Sequence, residues 1–200
     1  AGCAVAARLV EAGESVVLLE AGPPDRNYRI HIPAALRPLL RDQRVNWNYT
    51  SEPSSSTGGR RIGLPRGRVL GGSSSINGML YVRGNPADYD GWAQLGCRGW
   101  SYDDVLPLFK RSETYKQGGD IEYRGNSGPL MVEDYRTILP MTHRFVKAAQ
   151  QAGHNYTPDY NGGQQEGVGY SQMTRRGRLR GSTARTYLRA VRNSPNLEVI

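Results

Sequence analysis

Between Pro65 and Trp92 the chain reads PRGRVLGGSSSINGMLYVRGNPADYDGW, and its centre, Gly71-Gly72-Ser73-Ser74-Ser75, constrains the fold most. Adjacent glycines permit positive φ and carry no Cβ, so the backbone can approach itself or a bound molecule closely. The serines add hydroxyls and helix-starting side chains. Successive backbone N–H groups in such a turn form a concavity for an anion or an electron-rich ring edge. Arg66 and Arg68 add positive charge just upstream. A flexible linker has similar composition. Here, however, the flanks Val69-Leu70 and Met79-Leu80-Tyr81-Val82 are apolar, which a solvated linker does not need.

The first 22 residues, AGCAVAARLVEAGESVVLLEAG, read as a helix followed by a strand. Ala4, Val5, Leu9 and Ala12 recur at helical spacing, and Gly13 is a good terminator. Ser15 to Leu19 is a β-branched, apolar run of buried-strand type, with Glu20 at its end. The pair matches the second half of a βαβ dinucleotide-binding unit. Gly2 then stands as the third glycine of G-x-G-x-x-G, and Glu20 as the acid that binds ribose hydroxyls. The first strand and the first two glycines are expected upstream of Ala1. Taken alone, this half-motif fits a generic helix–strand pair equally well.

Further along, short elements are expected at Pro33–Leu40 (helix) and Trp47–Thr50 (strand). Helices follow at Asp88–Leu95 and, behind an N-cap at Ser101, at Val105–Arg111. From Pro129 the pattern gives a strand at Leu130–Val132. A helix from Pro140 to Gly153 carries Phe145, Val146, Ala149 and Ala152 on one face. A strand is expected at Tyr170–Thr174, a helix Ala184–Val191 capped by Gly181-Ser182-Thr183, and a strand beginning at Leu197. His31, His143 and His154 lack a readable triad order and are taken as structural.

Composition sets wider bounds. The formal net charge is +8, which admits a non-catalytic basic module binding nucleic acid or another polyanion. The acidic residues are interspersed and no nucleic-acid module is recognisable, so the charge is read as a solvated cationic surface, with no nucleic-acid partner. Cys3 and Cys97 stand far apart without C-x-x-C or paired histidines, indicating neither a metal site nor a disulfide framework. They fit a reducing compartment, so the expected location is cytoplasmic, with membrane association left open. No apolar run approaches the roughly 20 residues of a transmembrane helix.

Taken together, Gly2–Gly22, Pro65–Trp92, GPLMV at Gly128–Val132 and GSTARTYLRAVRNSPNLEVI at Gly181–Ile200 resemble the glucose–methanol–choline family of FAD-dependent oxidoreductases. The likeness is greatest to its choline and alcohol dehydrogenase branch. It implies an α/β chain: a Rossmann-like FAD-binding domain over 1–125, part of an α+β antiparallel-sheet substrate domain over 126–174, and a return to the FAD domain over 175–200. It implies FAD as cofactor, with Gly2 beside the pyrophosphate and Glu20 on the adenosine ribose. Ser73, Asn77, Gly78 and Leu80 are expected to touch the cofactor, with Val69 and Gly72 next. The substrate is expected to be a small alcohol; the electron acceptor is not specified. Some members tether FAD through a His just before the position matched by Asn77. Ile76 stands there and cannot form such a bond, so noncovalent FAD is expected. The family's catalytic His belongs to a C-terminal motif that none of the three histidines matches; it is expected beyond Ile200.

Overall fold

A computed structural model describes residues 1–200. In chain order the elements of the first stretch are α1 (Gly2–Glu11), β1 (Val16–Leu18), α2 (Tyr28–His31), α3 (Leu36–Arg41), β2 (Tyr49–Thr50) and β3 (Gly63–Leu64). A 3-10 turn at Gly72–Ser75 follows. Then come α4 (Pro86–Gln94), α5 (Tyr102–Ser112), β4 (Glu113–Tyr115), β5 (Leu130–Asp134), α6 (Pro140–Gln151) and β6 (Gln172–Arg176). The chain closes with β7 (Leu179–Arg180), a π-helical turn Ala184–Leu188, α7 (Arg189–Val191) and β8 (Leu197–Val199). Two compact units result: Ala1–Met79 with Arg176–Ile200, and Leu80–Arg175. The second unit opens at Leu80, where α4 and α5 pack on each other and α5 runs directly into β4.

In the first unit α1 buries Cys3, Ala6, Ala7 and Val10, an i, i+3, i+4, i+7 stripe. The buried face is therefore not the expected Val5–Leu9 face; Val5 and Leu9 are exposed. Small residues win because α1 packs closely on the π-helical turn. Gly13, at φ +91°, ends the helix as expected. β1 pairs in parallel with β8, Val16 opposite Leu197 and Leu18 opposite Val199. With that single neighbour, Val17 and Leu19 stay exposed, unlike the buried strand that their composition suggests.

The core that matters most here comprises Ile30, Leu39, Val45, Val69 and Ile76, all almost fully buried. Val69 and Ile76 bracket the glycine–serine turn, each contributing roughly 1.5–3 kcal/mol by burial. The turn is thus pinned at both ends. It is not a linker.

The second unit holds β4, β5 and β6 in one sheet. β5 and β6 are antiparallel, as expected of this part, while β4 joins β5 in parallel. α4 starts at an Asn85–Asp88 capping box with Pro86 in its first turn, and α5 at a Ser101–Asp104 box. α6 buries only Val146; Phe145, expected on the same packed face, is 69% exposed.

Under the sheet lies a buried ionic cluster. Glu113 accepts from Arg124 Nε at 2.7 Å and from Gly125 N at 2.9 Å. Arg83 Nη2 lies 2.8 Å from Glu113 Oε1, an electrostatic contact without hydrogen-bond geometry. Arg124 also reaches Asp159 and Gln172. Burial pushes the Glu113 carboxyl upward, but Arg124, Gly125 and Arg83 more than offset it and hold the group below its ordinary value. The cluster anchors the strand-like Leu80–Gly84 segment. Tyr81 N donates to Gln172 O at 2.9 Å, and Tyr81 O accepts from Tyr160 and Asn161.

Candidate functional site

Three pieces of the first unit surround a cavity of about 370 Å³. They are the N-terminus of α1, the C-terminal end of β1 running to Glu20, and the turn Leu70–Ser74, with Thr183 beside it. Such a volume lies within the range of small-molecule and cofactor sites. In α/β folds ligands gather at the carboxyl ends of parallel strands, where helix N-termini point.

The turn's shape follows from its sequence. Gly71 sits at φ +93°, a left-handed conformation costly to residues with a Cβ. A Cβ there would fall 2.5 Å from Ser75 Oγ and 3.1 Å from Ala184 Cβ. At Gly67 a Cβ would fall 2.3 Å from the backbone of Gly72, so the loop before the turn can lie against it only as glycine. The serine hydroxyls act within the turn. Ser73 Oγ accepts from Gly67 N at 3.0 Å, Ser74 Oγ donates to Gly71 O at 2.6 Å, and Ser75 Oγ to Leu70 O at 2.8 Å.

Thr183 joins the turn from more than a hundred residues away. Its N–H donates to Ser74 Oγ at 3.0 Å and its hydroxyl to Gly71 O at 3.2 Å. Its side chain was expected to cap the following helix; it makes no cap bond there. The turn's carbonyls compete for it and win. On the far side Arg180, 1% exposed, donates to Asn77 O at 2.6 Å, Asn77 Oδ1 at 2.9 Å and Ser74 O at 3.3 Å. Burial pulls this guanidinium down to about 10. Asn77 Oδ1 also accepts from Met79 N, supporting a non-glycine residue at φ +64°.

Of the residues singled out from sequence, Gly2, Glu20, Gly72 and Ser73 line this cavity. Glu20 is half-buried, and its Oε1 accepts from Gly22 N at 2.9 Å. Val69 lies in the core with its side chain turned away from solvent. Asn77 and Gly78 are exposed just past the turn, and Leu80 stands on the second unit opposite Met173. Thr183 and Arg180 were missed as site residues. Only Thr183's place in the GSTARTYL run hinted at a role.

A profile of the family described as GMC oxidoreductase matches residues 7–200. The chain belongs to this family. Choline dehydrogenases described as oxygen-dependent, from Brucella ovis and Sinorhizobium medicae, are 47% and 50% identical to it over its whole length. The chain spans 36% of each of them, about a third of their length. Pyridoxine 4-oxidase from Mesorbium loti superimposes on the entire chain at a TM-score of 0.93 with 33% identity, over 40% of that structure. An FAD-dependent oxidoreductase from Chaetomium thermophilum gives 0.89 and 31%, with the whole chain covered and 36% of the other. The fold is thus a Rossmann-like FAD-binding α/β arrangement, and the cofactor is FAD. The cavity fits that cofactor: a helix N-terminus suits a diphosphate, a strand-end carboxylate suits ribose hydroxyls, and glycines leave the wall open.

Proposed function

We propose that the protein containing this chain oxidises a small alcohol to an aldehyde or ketone, and that residues 1–200 supply much of its cofactor cradle. The carrying observation is the cavity where α1, the end of β1 and the Gly71–Ser74 turn meet, in a chain of this family. FAD, when bound, accepts the hydride; the protein binds and orients. The first turn of α1 faces the diphosphate. Glu20 accepts hydrogen bonds from the adenosine ribose with its carboxylate, which Gly22 N holds in place. Ser73, Asn77, Gly78 and Leu80 are assigned to the cofactor's path, with Gly72 in its wall and Val69 anchoring the turn from the core.

Residues 126–174 are assigned to the substrate domain, and 1–125 with 175–200 to FAD. The base that takes the hydroxyl proton is assigned to a histidine outside these residues. His143 Nδ1 is engaged with Tyr170 OH at 2.6 Å, and His31 Nδ1 is buried. Residues 1–200 alone are accordingly expected not to turn over alcohols.

The basic composition is partly interior: Arg83, Arg124 and Arg180 are buried and hold structure together. This weakens the polyanion reading. The relatives' names point to choline-like alcohols as the first to try. In the full-length protein, anaerobic choline or a simple primary alcohol should bleach the flavin absorbance. No bleaching across a panel of alcohols, with flavin bound, would remove the proposed activity.

A further inference from the structure

We infer that Arg180 is a positioning residue for the flavin cofactor: it holds the oxygen of the Asn77 amide inward and so turns the Asn77 NH2 group outward, as a hydrogen-bond donor to an acceptor oxygen of FAD. The inference rests on the placing of Asn77 along the cofactor's path proposed above.

The grip has several points. Arg180 Nη1 donates to Asn77 O at 2.6 Å, to Asn77 Oδ1 at 2.9 Å and, more weakly, to Ser74 O at 3.3 Å, while Nε donates to Ile30 O at 2.8 Å. The guanidinium is planar and rigid, so its Nε bond to α2 also fixes the direction of Nη1. Arg180 is 1% exposed and stands on β7, whereas Asn77 is exposed just past the turn. A buried group thus sets the orientation of an exposed one. Ser74, held by the same nitrogen, lines the cavity, and Asn77 follows it by at most about 11 Å of backbone.

Donor counting fixes the polarity of the amide. Asn77 Oδ1 receives both Arg180 Nη1 and Met79 N, the latter at 3.0 Å. Turning the amide over would set its NH2 against two groups that can only donate. That state loses both bonds and leaves donors unsatisfied. The outward group is therefore NH2, with two donors and no acceptor. FAD carries acceptor oxygens on its diphosphate and on its ring carbonyls, and either fits.

Charge separates this role from a purely structural one. Every oxygen that Arg180 meets is neutral, and burial pulls the guanidinium down to about 10. An aspartate at position 77 would accept the same two bonds and also neutralise the cation. What asparagine supplies and aspartate would not is the outward pair of donors.

Asn77→Asp in the full-length protein is the test, because it sets fold against cofactor. The apoprotein should melt at or above the wild-type temperature, while the Kd for FAD rises about tenfold or more, as expected when a donor gives way to a repelling oxygen. A shifted visible spectrum of the flavin still bound puts the contact on a ring carbonyl, and an unshifted one puts it on the diphosphate; either supports the inference. Unchanged FAD affinity overturns it, and so does an apoprotein melting well below wild type, since Oδ1 would then not face Arg180. A double-mutant cycle tests the action of Arg180 through Asn77. Arg180→Lys keeps the charge without the fork, and should weaken FAD binding by no more than about twofold once Asn77→Ala is in place. Equal losses from Arg180→Lys with and without Asn77→Ala would show that Arg180 acts independently. Every readout here is FAD binding or melting, so a wild type that binds FAD but is bleached by no alcohol would remove the proposed activity and leave this inference standing.

Discussion

The two glycines of the turn can be tested against each other, because the structure gives them opposite surroundings. In Gly71→Ala the new Cβ meets Ser75 Oγ at 2.5 Å and Ala184 Cβ at 3.1 Å, at φ +93°. Ser75 cannot step aside, being fully buried and bonded to Leu70 O. Left-handed strain adds about 1–2 kcal/mol, and overpacking about 1–3 kcal/mol. The sum, about 2–5 kcal/mol before the unfolded-state entropy offset of about 0.4–1 kcal/mol common to both variants, is a large part of typical domain stability. In Gly72→Ala φ is +58° and nothing lies within 4 Å of the new Cβ. Only the strain remains, offset by about 0.4–1 kcal/mol of lost unfolded-state entropy, leaving about 1 kcal/mol. Gly72 lines the cavity, however, so its methyl takes space from the cofactor. Thermal melting of the apoprotein and FAD titration by flavin fluorescence, both on the full-length chain, read the two effects separately. Gly71→Ala should melt well below wild type and retain little flavin. Gly72→Ala should melt close to wild type yet bind FAD about tenfold more weakly, or roughly 1.4 kcal/mol. A Gly71→Ala protein that melts like wild type would refute the packing argument. A Gly72→Ala protein with undiminished FAD affinity would refute the cavity assignment.

Glu20→Ala should weaken FAD binding by about 1.5–3 kcal/mol, with turnover at saturating FAD less affected; Glu20→Gln, which keeps an acceptor for Gly22 N, should fall between, and equal affinities for all three would count against a ribose contact. Glu113→Gln leaves Arg83 and Arg124 buried with less counter-charge, so the second unit should lose about 3–5 kcal/mol, read as a lower melting temperature. Because the Glu113 carboxyl is held below its ordinary value of 4.5, its stabilisation is complete above that pH and is lost as the pH falls through the folded value; stability that stays level through the acid range would contradict this. Ile76 has no nucleophilic atom, so acid precipitation of the full-length protein should release all flavin into the supernatant, and a fluorescent band on a denaturing gel would show a covalent bond made elsewhere.

Local order was largely legible in the sequence. The N-cap at Ser101, Gly13 as a helix stop, and a strand just before Glu20 follow from neighbours a few residues apart, where spacing carries the information. The glycine–serine stretch could be read as ordered from its apolar flanks, and Val69 and Ile76 prove to be core anchors. Long-range choices were not legible. Nothing near Thr183 shows that its hydroxyl serves Gly71 rather than its own helix, and nothing near Arg180 shows that it clamps Asn77. The buried faces of α1 and α6 also escaped, because Ala6 and Ala7 outweigh Val5 and Leu9 only once a close-packed partner is in place. Four of the eight residues chosen for the site meet at the cavity, and those four lie next to it in the backbone path.

FAD is proposed to lie in the cavity between α1, the end of β1 and the glycine–serine turn. A crystal structure of the full-length protein with its flavin tests it most directly. The diphosphate should lie at the first turn of α1 and the Glu20 carboxylate within hydrogen-bonding distance of a ribose hydroxyl. A cofactor whose ribose lies away from Glu20, with Gly72 and Ser73 facing solvent, would contradict it.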